Sequence, residues 1–561
     1  MFRRIGWQVV LVGIGFLVAA TILLYMAATY TTEFQPAPGG TYVESVGGYP
    51  QSLNPLLSFY NDADRDVVSL VFSGLTRLNQ KGEIEPELAV GWDVDPRGIT
   101  YTFRLNRNIL WHDGFRFTAD DVIFTVGLLQ DRDYPGRSDL GELWRTVEAT
   151  KIDDATVQFV LQEPYIPFLD YTTVGILPEH KLRGVQSSML PKLTFNRQPV
   201  GTGPFRVDEV AFEQDHIASV TLKRYPRYHG ESYYLDTLVF KFYPTPRAAY
   251  EAYETGGVEG ISQITLELLP EAFSESDLRL YSAPRAEMGM LYLNGLITET
   301  LPFNDSRVRQ ALYYGLDRQA LVDEVLMGQA ILPQTPFLPG SWAYTTDGIP
   351  TYEYDPERAL DLLNEAGWQH SSSTGKVENE AGRPLAFSLI ASSERRDLAM
   401  AEAIAEQWGR LGISVTIEAV PPPAVTGVLD SRSYQAALAR LVIPGDPDPY
   451  PFWHETQALP GQGQNYAGFH HRRVSEILEE ARRTADRGRR TELYAEFQRI
   501  FMKEVPAFPL YVPVYTYGLD QRVNGGQVGA LNAPHDRFIS LPDWYVLQRR
   551  VVASENEPSL N

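Results

Sequence analysis

The chain has 561 residues, 44% of them hydrophobic and 12% aromatic, enough apolar material for more than one core, so disorder is not the default. Its formal charge of −22 argues against nucleic acid as a partner, because neutralising phosphates takes clustered Lys and Arg; the short pairs Arg482-Arg483 and Arg489-Arg490 read as solvated helix faces. With no cysteine, disulfides, thiolate metal sites, cysteine nucleophiles and an acylated lipobox are all excluded.

Arg3 and Arg4 precede an uncharged apolar run over residues 7–30, long enough to span a bilayer. Basic residues before it and an acidic body after it place the body outside the cytoplasm. A signal peptide cut after Val18-Ala19-Ala20 is the other reading, but the run continues through Ile22, Leu23, Leu24 and Tyr25, which favours an uncleaved anchor over residues 1–32. Residues 33–40, with Gln35-Pro36-Ala37-Pro38-Gly39-Gly40, read as a linker, and residues 41–46 alternate as a strand.

Residues 100–105 place Tyr101, Phe103 and Leu105 on one side and Thr100, Thr102 and Arg104 on the other, the pattern of a half-buried strand. His112-Asp113-Gly114 is a turn signal. Thr118 then reads as a helix N-cap with Asp121 at N3, followed by Val122, Val126 and Leu129 on one face. Strands follow at 150–152 and 155–161, then a Pro-rich loop (163–178), a low-signal stretch (183–199) and the fixed turn Gly201-Thr202-Gly203-Pro204 entering a strand. Asn304 or Asp305 caps one helix, Asp317 a second that stops at Gly328, and Asp355 a third with Pro356 at its first position. A strand over 383–391, a helix over 398–411 and a strand over 413–420 make a β-α-β unit. Residues 368–382 read as a surface insertion, and helices are expected at 474–485 and 490–502.

Several of these segments also carry a resemblance. Pro86 and Leu88-Ala89 before Trp92, then Thr100-Tyr101-Thr102-Phe103, then His112-Asp113-Gly114 and Phe117-Thr118-Ala119-Asp120-Asp121-Val122 resemble the peptide/nickel-type solute-binding proteins of ABC importers. So do Gly201-Thr202-Gly203-Pro204-Phe205, the run Pro302-Phe303-Asn304-Asp305-Ser306-Arg307-Val308-Arg309-Gln310-Ala311-Leu312, and residues 508–515, in the same order over residues 41–548. The resemblance implies an α/β periplasmic-binding-protein-like fold of two lobes, class II with an extra subdomain. Lobe I would comprise residues 41–285, with the subdomain at about 79–187, and a return at 500–548; lobe II would be 286–499, and 549–561 a polar tail. It also implies a membrane-tethered receptor, extracytoplasmic, that delivers a ligand to ABC permease subunits.

The loop Gly445-Asp446-Pro447-Asp448-Pro449-Tyr450-Pro451-Phe452-Trp453-His454 holds two carboxylates and three aromatics on a proline-stiffened backbone, which suits a buried ligand. From it come the candidate ligand residues Asp446, Asp448, Tyr450 and Trp453. The resemblance adds Asn54, Tyr60, Asn61, Thr202, Asn294 and Tyr515, and Arg395 for a ligand carboxylate. Peptide binders of this family pair an Asp with the ligand's amino terminus; here Ile443 or Gly445 takes that position, and Asp446 or Asp448 is left as the substitute. An enzyme is not expected: Asp446 and Asp448 sit too close on one loop to flank a scissile bond, no G-x-S-x-G occurs, and the nine His are scattered. No cofactor or resident metal is expected. The resemblance puts oligopeptide first as cargo, with oligosaccharide, a nickel complex, or a sensory rather than transport role as alternatives.

Overall fold

Thr100–Leu105 is a strand in which Tyr101, Phe103 and Leu105 are buried and Arg104 is exposed. Thr118 caps the Ala119–Gln130 helix in a capping box, its N–H donating to Asp121 Oδ2 at 2.9 Å. Asp121 also accepts from the Trp111 indole and from the Glu179 N–H, so one carboxylate fastens the helix start to two other segments. His112 clasps the glycine turn: its Nε2 meets the Gly203 carbonyl at 3.0 Å, and the Gly201 N–H donates to its Nδ1 at 3.2 Å. Both glycines are required there, because a Cβ on Gly201 would lie 1.8 Å and one on Gly203 2.5 Å from backbone oxygens at the end of the Asp62–Val71 helix. Two motifs some ninety residues apart thus grip one helix terminus.

The computed structural model describes residues 12–23, 32–80, 82–296, 302–443, 445–527, 529 and 531–552. A sheet of twelve strands runs through the molecule. Its order along the main path is 414–420, 386–392, 436–442, 287–293, 507–520, 260–261, 41–47, 237–243, 216–224, 205–213. Ala507–Asp520 is the strand that joins its halves: the start pairs with Glu287–Leu293, the middle with Ala330–Ile331 and the end with Leu278–Pro284. Apolar side chains collect accordingly. A first core takes residues from Tyr42 to Ala283 together with Tyr515 to Trp544; a second takes residues from Met288 to Val512. The change of core falls between Val512 and Tyr515 on the long strand, and between Ala283 on strand 278–284 and Met288 on strand 287–293. A separate antiparallel sheet in the order 89–94, 100–105, 156–160, 148–153 packs into the first core.

Deep in the first core, the guanidinium of Arg537 is fully buried between the carboxylates of Glu44 and Asp66, with Tyr42 donating to Glu44 at 2.7 Å. The triad ties the first long strand, the Asp62–Val71 helix and the last part of the chain to each other. It carries two negative charges against one positive, and burial raises the Asp66 carboxyl above its ordinary range despite Arg537.

The expected caps are present: Asp305, Asp317 and Asp355 each accept from a first-turn N–H. Other segments differ from expectation. Of the apolar run 7–30, residues 12–23 form a helix with exposed side chains, and the remainder lies outside the described residues; no described helix is long and apolar enough to cross a membrane. Residues 32–37, of which 33–37 fall in the expected linker, pair antiparallel with residues 547–552, of which 549–552 fall in the expected polar tail, and Arg550 sits over the Phe34 ring at 5.1 Å. The ladder was invisible locally because its strands lie at opposite ends of the chain. The insertion at 368–382 holds a short hairpin, Trp368–His370 with Val377–Asn379.

Candidate ligand-binding site

In α/β sheets, ligands bind beyond the carboxyl ends of parallel strands. Two such edges flank the crossing between the cores. Strands 41–47, 237–243 and 260–261 are parallel. Past their ends, Gly47, Pro246, Ser262 and Gln263 meet Asp62, Asp66 and Tyr515 around a polar cavity of about 50 Å³, room for a few waters. The Tyr515 hydroxyl donates to the Ser262 carbonyl, fixing one wall.

Strands 386–392, 414–420 and 436–442 form the second parallel set. Past Ser392 come Glu394, Arg395, Arg396 and Asp397. Arg440 reaches Glu394 at 3.0 Å and Asp397 at 3.2 Å, and Arg396 has a buried Nε without a hydrogen-bond partner. Tyr511 is buried beside these charges, and its hydroxyl is pushed up to about 12 by burial. A larger depression of about 580 Å³ is an open groove beside the starts of strands 386–392 and 436–442, away from the crossing.

The loop leaving the second edge closes a seam between the cores. Ile443 is buried and its N–H donates to the Ala286 carbonyl at the crossing. Gly445 packs so closely on Asp170 that a Cβ would lie 3.2 Å from its carboxylate, and the Asp446 N–H donates to Asp170 Oδ2 at 2.7 Å. Asp446 is itself held by Arg490 at 2.8 and 2.5 Å. Arg490 also lies over the Trp342 ring and reaches the Tyr494 hydroxyl. Asp448 pairs with Arg482 at 2.7 Å, and that guanidinium lies 3.8 Å from the centre of the Tyr450 ring and 5.1 Å from that of Tyr165. Burial raises the Asp448 carboxyl. It raises Asp170 to about 7, with the nearby Asp446 charge as the next cause.

The residues picked out in sequence fall into distinct places. Asp446, Asp448 and Tyr450 lie on the seam, and Tyr515 lines the small cavity. Arg395 opens the Arg395–Arg410 helix at the second edge. Tyr60 is 74% exposed at a turn next to Phe59, and Asn61 caps the Asp62–Val71 helix. Asn54 and Asn294 are fully buried and hold turns, the first through Asn196 and Leu56, the second through the Arg432 and Tyr434 carbonyls. Thr202 is buried in the glycine turn with its hydroxyl unpartnered. Trp453 is 1% exposed, its ring 4.6 Å from that of Phe501 in the second core.

Sequence reasoning missed Asp170, Arg482 and Arg490. The arginine pairs expected as solvated faces are split: Arg483 and Arg489 are exposed, whereas the side chains of Arg482 and Arg490 are 22% and 5% exposed. Helical spacing held that signal, because Arg490 lies in line with Tyr494, Phe497 and Phe501 on the buried stripe of its helix.

Two cores joined by short crossings, with parallel-strand edges on either side, define a periplasmic-binding-protein-like α/β fold. Residues 83–462 match the family described as bacterial extracellular solute-binding proteins, family 5 Middle. The chain belongs to this family of ABC-transporter solute-binding proteins. It is 28% identical over 503 residues to the oligopeptide-binding protein AppA of Bacillus subtilis, covering 88% of this chain and 89% of that one. With the dipeptide-binding protein of Escherichia coli it shares 27% identity over 89% of this chain and 94% of that one. The solved structure of NikZ from Campylobacter jejuni in complex with Ni(L-His) superposes with a TM-score of 0.71 at 26% identity, covering 90% of this chain and 99% of that chain.

Proposed function

We propose that this protein is the extracytoplasmic receptor of an oligopeptide importer, tethered by residues 1–32 and handing its cargo to the permease subunits. Lobe I is built on the first core and lobe II on the second, so the return into lobe I, expected from residue 500, falls after Val512 and before Tyr515. The observation that carries this reading is the pair of parallel-strand edges set on either side of the crossing segments. A ligand held there touches both lobes, so its binding energy favours closure. The similarity to oligopeptide- and dipeptide-binding relatives supports peptide as cargo.

The amino-terminal anchor of such a peptide is not the family's usual one. Ile443 is apolar and buried, Gly445 has no side chain, and Asp446 and Asp448 are already paired with Arg490 and Arg482. This favours longer peptides held through their backbone over di- and tripeptides held by their ends. A metal complex is the second reading, favoured by the likeness to NikZ. Among the described residues no group of three or more His, Asp or Glu is placed to hold a metal ion, so a metal would arrive with its own chelator.

Thermal melting of the protein against peptide, oligosaccharide and nickel-complex panels tests this. A ligand at a hundred times its Kd stabilises a fold by about 2.7 kcal/mol. A shift from the peptide panel supports the proposal, a shift from another panel reassigns the cargo, and no shift from any panel in folded, ligand-free protein removes the receptor reading.

A further inference from the structure

The seam between the lobes places carboxylates against one another. Asp170 comes from the Ile166–Thr173 turn of lobe I; Gly445 and Asp446 come from lobe II. The Asp446 N–H reaches Asp170 at 2.7 Å while the Asp446 carboxylate stands beside it, and one cation, Arg490, serves that pair. The other charged and titratable groups around the turn are committed elsewhere. Asp448 and Arg482 pair with each other, Arg137 pairs with Asp139, and Arg77 on the neighbouring strand pairs with Glu85 and Glu87. Tyr165 and Tyr171 are held neutral by burial. Closing the seam therefore leaves Asp170 half-buried next to a like charge, with no cation of its own.

We infer that lobe closure takes up one proton on Asp170, making the seam an acid-favoured latch. The proton comes from solvent and sits on the oxygen that does not receive the Asp446 N–H, so the interlobe hydrogen bond survives. When the lobes part, burial and the Asp446 charge are both relieved, and Asp170 returns toward an ordinary carboxyl. The inference rests on the two-lobe reading above.

The sign follows from linkage. A group at about 7 when closed and near 3.8 when open binds its proton on closing, so closure strengthens as pH falls below neutrality. Between pH 8 and pH 6 the closed-to-open ratio should rise about tenfold. The cysteine-free chain makes this measurable in the full-length protein in detergent. Lys192→Cys and Ser372→Cys place spin labels at exposed sites on lobes I and II, and pulsed dipolar spectroscopy reads the distance populations without ligand. The expected result is the tenfold rise in the Asp170 protein and a flat profile in Asp170→Asn, which keeps the acceptor. A flat profile in the Asp170 protein, or the same pH dependence in Asp170→Asn, overturns the latch. The first of these needs no variant to fold. A flat profile alongside ligand stabilisation in the melting panels sinks the latch and leaves the receptor; a pH-dependent seam with no ligand in any panel does the reverse.

Discussion

Replacing Arg537 by Met should destabilise the protein more than any surface substitution, through charge rather than volume. The guanidinium is 1% exposed and donates to Asp66 at 2.7 and 2.6 Å, to Glu44 at 3.1 Å and to the Pro534 carbonyl at 2.8 Å. Met fills much of the space but leaves Glu44 and Asp66, 1% and 2% exposed, without a counter-ion. Breaking a buried pair this way costs about 3–5 kcal/mol. The cost should depend on pH with a defined sign. Asp66 already stands above its ordinary range, and losing Arg537 raises it further. A carboxyl raised in the folded state is a penalty above its folded value that fades as the native protein takes up the proton. The deficit of Arg537→Met should therefore narrow on going from pH 8 to pH 5, by at most about 1.4 kcal/mol per pH unit for each proton bound. Urea denaturation at pH 8, 6.5 and 5 reads this directly. Adding Glu44→Gln and Asp66→Asn to Arg537→Met should restore most of the loss, because the orphaned charges go with the cation. A deficit under about 1 kcal/mol at pH 8, or one that widens in acid, would refute the reasoning.

Three further outcomes follow from the same geometry. Trp453→Ala should lose about 3–5 kcal/mol by emptying a packed site against Phe501 and Tyr292; thermal unfolding that stays within about a degree of the parent would place this ring outside the core. Gly201→Ala should give little or no soluble protein, since its methyl would sit 1.8 Å from the Val71 carbonyl oxygen, and a normal yield with normal melting would contradict that close approach. His112 is held neutral by burial, at about 4 against an ordinary 6.5, with the Gly201 N–H occupying the nitrogen a second proton would need. Its share of stability is present above pH 6.5 and lost as pH falls toward 4, up to roughly 3 kcal/mol; His112→Asn should lack that part of the acid loss in urea titrations, and an unchanged acid profile would show that His112 does not carry it.

Much of the framework could be read from local sequence because local physics sets it. Thr118 with Asp121, and Asp305, Asp317 and Asp355, form caps that a few neighbouring residues decide, and alternation alone placed Tyr101, Phe103 and Leu105 inside. Trp111 and Trp144 are buried in the first core, and Trp92 packs half-buried against it. The seam was legible only in part. The proline-rich loop was singled out for its carboxylates, but its partners Asp170, Arg482 and Arg490 come from segments with no shared local pattern. The Arg537 triad was wholly hidden, because Glu44 and Asp66 lie more than four hundred residues before it. Trp453, picked out as a ligand residue for its place on that loop, is buried against Phe501 and Tyr292 in the second core.

The measurement that bears most directly on a receptor closing over its cargo is small-angle X-ray scattering of the protein with and without the ligand that raises its melting temperature. Hinge closure predicts a radius of gyration that falls and saturates at one ligand per chain. A ligand that saturates its site while the scattering curve stays unchanged would contradict closure between the two lobes.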